Sequence, residues 1–197
     1  MATKKQQKDK LREKFRGIRS ALHSEKNNSA RDLIATNFIQ FVPGVPIGTV
    51  VGAYYPMGSE IDSLRLLATL QINGIRLALP VVWKEHEAME FRAYKLGDAL
   101  EEGLHDTLQP QADAKVLKPE ILIIPLVAFD EKGYRLGQGG GYYDRTLAEI
   151  RANRKVLAIG LAFEGQKTKS IPVESFDEPM DGVLTEKGLW NFRKPGK

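Results

Sequence analysis

Short apolar runs alternate with helical patterns along most of this chain, and this alternation limits its possible folds more than any other feature. The most hydrophobic run, 121–129 (ILIIPLVAF), and the run at 155–163 (KVLAIGLAF) are typical of strands buried on both faces of a sheet. A helical pattern at 142–153 separates them. Strands that alternate with helices predict a mostly parallel sheet covered on both faces, which is a three-layer α/β/α sandwich.

Two further buried strands and one antiparallel strand extend this predicted sheet. Residues 49–55 (TVVGAYY) and 76–82 (RLALPVV) are short, apolar and rich in β-branched or aromatic residues. Between them, Asp62 can cap a helix that Gly74 ends. Residues 90–94 (EFRAY) predict an antiparallel edge strand, because the connection before them is too short for a crossover.

Two amphipathic helices are predicted before the first strand, at about 4–23 and from Ser29 to the residue before Pro43. Residues 96–119 show no regular period and are interpreted as a long surface connection. Residues 181–186 (DGVLTE) predict a last strand at an edge of the sheet. Ligands of open sheets of this kind bind beyond the carboxyl ends of the strands, so a site is expected there.

The composition is that of a single globular domain spanning residues 1–197. No segment has the roughly 18 consecutive apolar residues that a membrane-spanning helix needs, and no apolar run follows the N-terminal lysines as in a secretory signal. The sequence contains no cysteine, so disulfides, thiolate catalysis and cysteine-bound metals are excluded. We therefore expect a cytoplasmic protein that does not bind membranes.

Basic residues are concentrated at the N-terminus. Residues 1–19 contain eight Lys or Arg and two acidic residues, whereas the remainder has more acidic than basic residues. A basic helix of this kind can face nucleic acid, membrane phosphate or a nucleotide, or form a solvated surface. The basic residues are not interleaved with exposed aromatic residues, which argues against a nucleic-acid-binding module.

A glycine-rich segment lies between the most hydrophobic run and the helix that follows it. In residues 135–144, RLGQGGGYYD, glycine occupies four positions. Glycines let the backbone approach a ligand closely, and successive N–H groups before a helix form an anion-binding cradle, to which Arg135 can add charge. The pattern matches neither the dinucleotide fingerprint nor the P-loop, so a flexible strand-to-helix turn is an alternative interpretation.

Two acidic residues are candidate ligands of a cation near this segment. Asp144 lies in the first turn of the predicted helix, where the helix dipole alone favours an acid. An acid beside a phosphate cradle would repel a nucleotide unless a hard cation such as Mg²⁺ lay between them. Asp177 can supply a second carboxylate or be an ordinary loop acid.

Residues 125–145, PLVAFDEKGYRLGQGGGYYDR, resemble the signature of the 5-formyltetrahydrofolate cyclo-ligase family. The resemblance extends over nearly the whole chain, through YYPMGSEID (54–62), LALPVV (77–82) and IPVESFDEPMDGVLTE (171–186), and is weakest at 96–119. It implies an α/β/α sandwich and a monomer. It also implies ATP- and Mg²⁺-dependent closure of 5-formyltetrahydrofolate to 5,10-methenyltetrahydrofolate, with ADP and phosphate released.

Matched by position, the resemblance implies sites for ATP, the folate and Mg²⁺. The predicted catalytic residues, which contact phosphate, are Lys8, Arg12 and Arg135. The predicted ATP site comprises these three with Leu136, Gly137, Gln138, Gly139, Gly140, Gly141, Tyr142 and Tyr143. The predicted folate site comprises Tyr55, Glu60, Gln138, Gly139, Gly140, Gly141 and Tyr142, with Trp83 added because it follows the LALPVV strand. The predicted Mg²⁺ ligands are Asp144 and Asp177.

Simpler interpretations of these residues remain open. Lys8 and Arg12 are spaced for one helix face and can be solvated surface charges. Tyr55 can be a core residue of its strand, and Trp83 can be an ordinary packing residue. The main alternative function is that of a related enzyme with the same fold and a different substrate or none.

Overall fold

One long helix, α1 (Lys4–Phe41), opens the chain in the computed structural model, which describes residues 2–42 and 44–193. Thr3 caps this helix. Its hydroxyl accepts a hydrogen bond from the Gln6 N–H, and the Gln6 side chain accepts one from the Thr3 N–H.

The prediction of two separate helices was wrong, because residues 24–28 continue α1 without a break. These residues are polar, but none is Pro or Gly, and two of them are held by the body of the protein. Lys26 pairs with Glu186, and the Asn27 side chain accepts a hydrogen bond from a backbone N–H. Polar tertiary contacts therefore hold this part of the helix in place, although it has no apolar residues at helical spacing.

The first half of the sheet follows the predicted order, and residues 96–119 then form structure that the sequence did not predict. The elements of the first half are β1 (Val50–Gly52), α2 (Leu64–Ile72), β2 (Arg76–Val81) and β3 (Glu90–Tyr94). A separate hairpin follows, with β4 (Leu100–Glu102), a short 3-10 helix (Leu104–Asp106) and β5 (Leu108–Pro110). The predicted long surface connection therefore contains a hairpin that the sequence did not reveal.

The second half of the chain contains the most hydrophobic strand and the helix of the opposite layer. Its elements are β6 (Ile121–Pro125), β7 (Ala128–Phe129), β8 (Arg135–Leu136), α3 (Tyr142–Asn153), β9 (Leu157–Leu161), a 3-10 helix (Glu164–Gln166), β10 (Gly182–Thr185) and β11 (Gly188–Asn191). The predicted strand at 121–129 was too long, because its last residues turn away and pair with β8. The Gln166 side chain donates to the carbonyls of Leu126 and Val127, which satisfies the backbone where the strand ends.

Within the described residues, seven strands form one sheet in the order β11-β10-β9-β6-β1-β2-β3. The five central strands are parallel, and β3 and β11 lie antiparallel at the two edges. The predicted antiparallel strand β3 is confirmed. The prediction that DGVLTE forms an edge was wrong, because the chain turns back after Glu186 and β11 pairs beside β10.

Alternate side chains of the strands pack on opposite faces of the sheet. In β6, Ile121 and Ile123 face a core shared with α1 and α2, whereas Leu122 and Ile124 face a core shared with α3. The helices fill the first core with Ile34, Phe38, Leu66, Leu67 and Leu70, and the second with Leu147. The predicted three-layer α/β/α sandwich is confirmed. Within residues 2–42 and 44–193, no helix has a stretch that is both long and apolar enough to cross a bilayer.

The β7–β8 hairpin brings Arg135 to the edge of the sheet where the parallel strands end. Asp130 shapes its turn by accepting hydrogen bonds from the N–H groups of Lys132 and Tyr134. Gly133 lies in this turn with φ of +84°, and its carbonyl accepts a hydrogen bond from the Met180 N–H. The turn is thus tied to the loop that precedes β10.

Gly133→Ala is expected to lower the free energy of unfolding by about 1–3 kcal/mol, because φ is positive there. An added Cβ would also lie 2.9 Å from the Met180 carbonyl oxygen. The control is Gly17→Ala in α1, where a Cβ meets no atom within 4 Å. It should stabilise the protein by about 0.5–1 kcal/mol. Urea unfolding of both variants measures the difference, and equal stabilities would contradict the strained turn.

Candidate functional site

Four basic side chains of α1 meet the loops beyond the carboxyl edge of the sheet. They are spaced by about one helical turn, so that they lie on one face of the helix: Lys8, Arg12, Arg16 and Arg19. Lys8 contacts the segment at 174–177, Arg12 and Arg16 contact residues 137 and 138, and Arg19 contacts Ser59. The sequence singled out only the first two. The same spacing predicts that Arg16 and Arg19 share this face. The other basic residues of α1 made the pattern hard to recognise.

Lys8 is a buried cation, only 7% exposed. Its ammonium donates to Glu174 Oε2 at 2.7 Å and to the two Asp177 oxygens at 3.0 and 2.7 Å. Burial lowers the pKa of Lys8, but the hydrogen bonds and charges of both carboxylates outweigh burial and hold the pKa above its ordinary value. Lys8 is therefore a fixed positive charge, and the interpretation of it as a solvated surface residue is wrong.

Arg12 and Arg16 hold the glycine loop, which comprises residues 137–141. Arg12 Nε donates to the Gly137 carbonyl at 2.9 Å. Arg16 Nε and Nη2 donate to the Gln138 side-chain oxygen at 3.0 and 2.7 Å. The guanidinium groups of α1 thus lie along the loop that the sequence predicts to bind phosphate.

The glycine loop leaves a row of backbone donors open. In the described part of the chain, no group accepts a hydrogen bond from the backbone N–H groups at positions 139–144. Gly139 and Gly141 have φ of +117° and +67°, and Gly141 provides no side-chain cap for α3. Open N–H groups at the positive end of a helix dipole form an anion site.

Arg135 joins three segments at the start of α3. Its Nη2 donates to Asp144 Oδ1 and its Nη1 to the Glu178 carbonyl, both at 2.7 Å. Asp144 Oδ1 also accepts a hydrogen bond from the Glu178 N–H at 3.0 Å. The acidic segment, residues 174–178, is therefore bound to Lys8 at one end and to Arg135 and Asp144 at the other.

The two predicted Mg²⁺ ligands differ in the oxygen atoms that they leave open. Among the described residues, Asp144 Oδ2 accepts no hydrogen bond, whereas both oxygens of Asp177 accept from Lys8 and one also from the Glu174 N–H. No group of three His or acidic side chains in the described chain is placed to hold a metal unaided. The donor set fits a Mg²⁺ ion that takes one or two carboxylates and completes its shell with phosphate oxygens and water.

Glu60 lies in the turn after β1, where its side chain is largely buried beside Arg19 of α1. Its Oε2 accepts a hydrogen bond from the Met57 N–H at 3.1 Å, and its Oε1 lies 3.9 Å from Arg19 Nη1. Burial raises the pKa of Glu60, and Arg19 and the Met57 N–H oppose that rise. Burial raises the pKa of Tyr143, which follows the glycine loop, and the charge of Glu60 adds to that rise.

The other predicted site residues occupy varied positions. Tyr55 is partly buried and packs against the core that α1 and α2 share. Trp83 is 55% exposed, donates to Glu90 Oε1 at 3.2 Å and has the Arg92 guanidinium 4.8 Å from its ring centre. Leu136 is buried in a core cluster, so only its backbone is available to a ligand.

The 96–119 region contributes a contact that the sequence analysis missed. His105, at the tip of the β4–β5 hairpin, has its Nε2 2.8 Å from the Tyr142 hydroxyl. The hairpin therefore reaches the residue that follows the glycine loop. No sequence signal could have paired these residues, because His105 lies in a stretch without periodicity.

A cavity of about 360 Å³ lies at the opposite edge of the sheet. It is lined by residues that precede or begin the parallel strands, including Thr49, Glu120 and Leu157. None of the predicted site residues lines it. The candidate site is instead the group formed by the glycine loop, the acidic segment, the turn at 57–60 and the basic face of α1.

Comparison with known proteins supports the resemblance seen in the sequence. The chain matches the model of the 5-formyltetrahydrofolate cyclo-ligase family over residues 4–186. It is 32% identical over 183 residues to the 5-formyltetrahydrofolate cyclo-ligase of Escherichia coli strain K12, covering 90% of this chain and 100% of the relative. It is 35% identical over 147 residues to the protein of that name from Mycolicibacterium smegmatis, covering 71% and 75% of the two chains.

Two solved structures share the fold. The 5,10-methenyltetrahydrofolate synthetase of Aquifex aeolicus superposes with a TM-score of 0.76 at 27% identity, covering 96% of this chain and 95% of that chain. The protein of that name from Mycoplasma pneumoniae gives a TM-score of 0.73 at 24% identity, covering 91% and 98%. The α/β/α architecture described above is therefore that of these proteins.

Glu60→Gln is expected to change how stability depends on pH. The pKa of Glu60 is raised in the folded protein above its ordinary value of 4.5, so the folded state binds this proton more tightly than the unfolded state. The stabilisation from that proton is present below 4.5 and is lost as pH rises through the folded pKa. Urea unfolding should show wild type gaining stability relative to Glu60→Gln when the pH is lowered from 7.5 to 5. A constant difference would contradict the raised pKa.

Proposed function

Because the chain belongs to the 5-formyltetrahydrofolate cyclo-ligase family, we propose that it uses ATP to close 5-formyltetrahydrofolate to 5,10-methenyltetrahydrofolate, releasing ADP and phosphate. The observation that carries this proposal is the row of open backbone N–H groups in the glycine loop, next to the cations of α1. That arrangement suits a polyphosphate, and family membership supplies the folate.

The proposed reaction needs an activated oxygen rather than a protein nucleophile. A formamide oxygen is a poor leaving group, so N10 of the folate cannot displace it unaided. Transfer of the γ-phosphoryl group makes this oxygen part of a phosphate ester, N10 then attacks the formyl carbon, and phosphate leaves as the ring closes. Such a reaction requires alignment of the two substrates and stabilisation of charge on the phosphoryl group.

The residues of the site divide this work between cations and backbone donors. We assign the phosphate chain to Lys8, Arg12 and the N–H groups at 139–143. Lys8 exchanges part of its contact with Glu174 and Asp177 for phosphate, which makes the Asp177 oxygens available to a metal. Arg135 holds Asp144 in place and adds positive charge beside the phosphates.

Magnesium is proposed as the metal of this site, with Asp144 and Asp177 as its protein ligands. When bound, Mg²⁺ would neutralise phosphate charge that otherwise repels both carboxylates. Asp144 Oδ2 is the oxygen open for this role, since Oδ1 is hydrogen bonded to Arg135 and to the Glu178 N–H.

The folate is assigned to the side of the glycine loop that faces Glu60. A carboxylate accepts hydrogen bonds from the N–H groups of a reduced pterin, and Tyr142 and Tyr55 offer aromatic faces. Trp83, exposed at the end of β2, is assigned to the outer wall. We expect a cytoplasmic monomer. We also expect it to bind neither nucleic acid nor membranes, because the basic face of α1 is directed into the site.

Purified protein mixed with ATP, Mg²⁺ and 5-formyltetrahydrofolate is expected to form methenyltetrahydrofolate, followed by its absorbance. Product should need both ATP and Mg²⁺ and should match the ADP released. No product under these conditions would overturn the proposed function.

Lys8→Met should raise the Michaelis constant for ATP, because a buried phosphate contact is lost. The matched variant Lys5→Met alters an exposed residue of the same helix and should leave that constant unchanged.

Asp144→Asn is expected to lower turnover at limiting Mg²⁺ by about tenfold or more, as loss of metal-site groups typically does. Asparagine keeps an oxygen for Arg135 and the Glu178 N–H and changes the oxygen that faces the metal. Asp181→Asn is the control, since Asp181 also binds an arginine, Arg151, but outside the site. Steady-state rates across Mg²⁺ concentrations measure the effect, and equal Mg²⁺ dependence in the two variants would remove Asp144 from the metal role.

A further inference from the structure

Arg19 is the most deeply buried cation of the basic face of α1, and the reaction proposed above gives it no role. It is 5% exposed. Its Nε donates to the Ser59 hydroxyl at 3.1 Å, and its Nη1 donates to the Leu126 carbonyl at 3.2 Å. Both partners are neutral, so the guanidinium charge is left for Glu60, whose Oε1 lies 3.9 Å away.

Glu60 keeps most of its capacity to accept hydrogen bonds. Among the described residues, its one donor is the Met57 N–H, which binds Oε2. Arg19 Nη1 is too far from Oε1 for a hydrogen bond, yet close enough for strong electrostatic attraction at a buried position. The guanidinium thus favours the charged carboxylate without occupying the lone pairs that a ligand would use.

We propose that Arg19 is a positioning residue for the folate substrate, which keeps the Glu60 carboxylate ionised and directed at the pterin N–H groups. This inference rests on the proposed function and deepens it. A carboxylate accepts from two adjacent N–H donors only when it is deprotonated. Arg19 therefore determines the pH range in which the folate side of the site is competent.

The groups around Glu60 explain why a cation is required there. The charge of Glu60 adds to burial in raising the pKa of Tyr54, whose hydroxyl donates to the Ile61 carbonyl, and the pKa of Tyr143 at the start of α3. Neither residue supplies positive charge. Burial favours the neutral acid and raises the pKa of Glu60, and the opposing influences are Arg19 and the Met57 N–H. Without Arg19, the carboxyl group would take up a proton closer to neutral pH.

A purely structural role for Arg19 makes a different prediction. Arg19 also joins α1 to the Leu126 carbonyl, so its loss could simply loosen the turn at 57–60. Arg31, three turns further along α1, joins the helix to Asp62, at 2.7 Å. Arg31→Met therefore removes a tie between the same helix and the same stretch of chain without touching Glu60, and it is the matched control.

The test measures binding of 5-formyltetrahydrofolate and of ATP, separately, from pH 5.5 to 8.5 in the full-length protein. Arg19→Met should shift the loss of folate affinity at acid pH upward by about one pH unit or more, the usual effect of an opposite charge. At pH 7 its folate affinity should fall by about tenfold, with ATP affinity unchanged. The acid limb is the pH range over which folate affinity is lost as the pH falls. Arg19→Lys keeps the charge and should keep the acid limb of wild type.

Two controls determine what the acid limb reports. Glu60→Gln has no carboxyl group to titrate, so any limb that it retains belongs to the ligand. Arg31→Met should keep the wild-type limb. The proposal is overturned if Arg19→Met has the same acid limb as wild type, or if Arg31→Met shifts it equally.

A double variant keeps the test decisive if Arg19→Met leaves too little folded protein. Arg19→Met/Glu60→Gln contains no unpaired buried carboxylate, and it should bind folate as weakly as Glu60→Gln alone, because Arg19 acts through that group. A further large loss would overturn the proposal. Where Arg19→Met folds, carbon-13 NMR titration of Glu60 in wild type and Arg19→Met, without substrate, separates this inference from the proposed function. Glu60 should take up its proton at a higher pH in Arg19→Met, and equal titrations would overturn the inference. Wild type that neither binds nor converts the folate would contradict the function, whatever the Arg19 variants show.

Discussion

The arrangement of this protein depends on α1 being one continuous helix. Its C-terminal half packs Ile34 and Phe38 into the main core, and that packing fixes the rotation of the whole helix about its axis. The N-terminal half extends beyond the carboxyl edge of the sheet with its basic face already oriented. The N-terminal half also packs Leu11, Phe15 and Ile18 against a separate core cluster. Hydrophobic packing along both halves of α1 therefore sets the direction in which its basic face points.

The charges of the site are paired with one another inside the protein. Lys8 lies between two carboxylates, Arg135 holds Asp144, and Arg19 lies near Glu60. Each pair offsets part of the desolvation penalty that an isolated buried charge would impose. Each also holds a charged group in a defined place. The candidate site is therefore a set of paired charges in fixed positions.

The sequence predicted those parts of the fold that follow from local periodicity. β3, α3 and the alternation of buried strands were predicted from their apolar residues, and the glycine loop from its composition. The β4–β5 hairpin and the turn that separates β7 from β6 were not, because tertiary partners such as Gln166 determine them. For the site, the roles of Lys8 and Asp144 came from resemblance to a family. The contacts of Arg19 and His105 needed the structure, since their partners are distant in sequence and no pattern links them.

The uncapped start of α3 has a consequence for the protein as a folding unit. Many helices begin with a residue whose side chain accepts hydrogen bonds from the first N–H groups. Gly141, which precedes α3, has no side chain to do so. A bound phosphate would serve as that missing cap, so the ligand would complete a secondary-structure element as well as occupy a site. The first turn of α3 would thus be capped only while a phosphate is bound. Binding of a nucleotide would order the first turn of α3, and its release would loosen that turn. Because Tyr142 in this turn contacts His105, the change would also reach the β4–β5 hairpin.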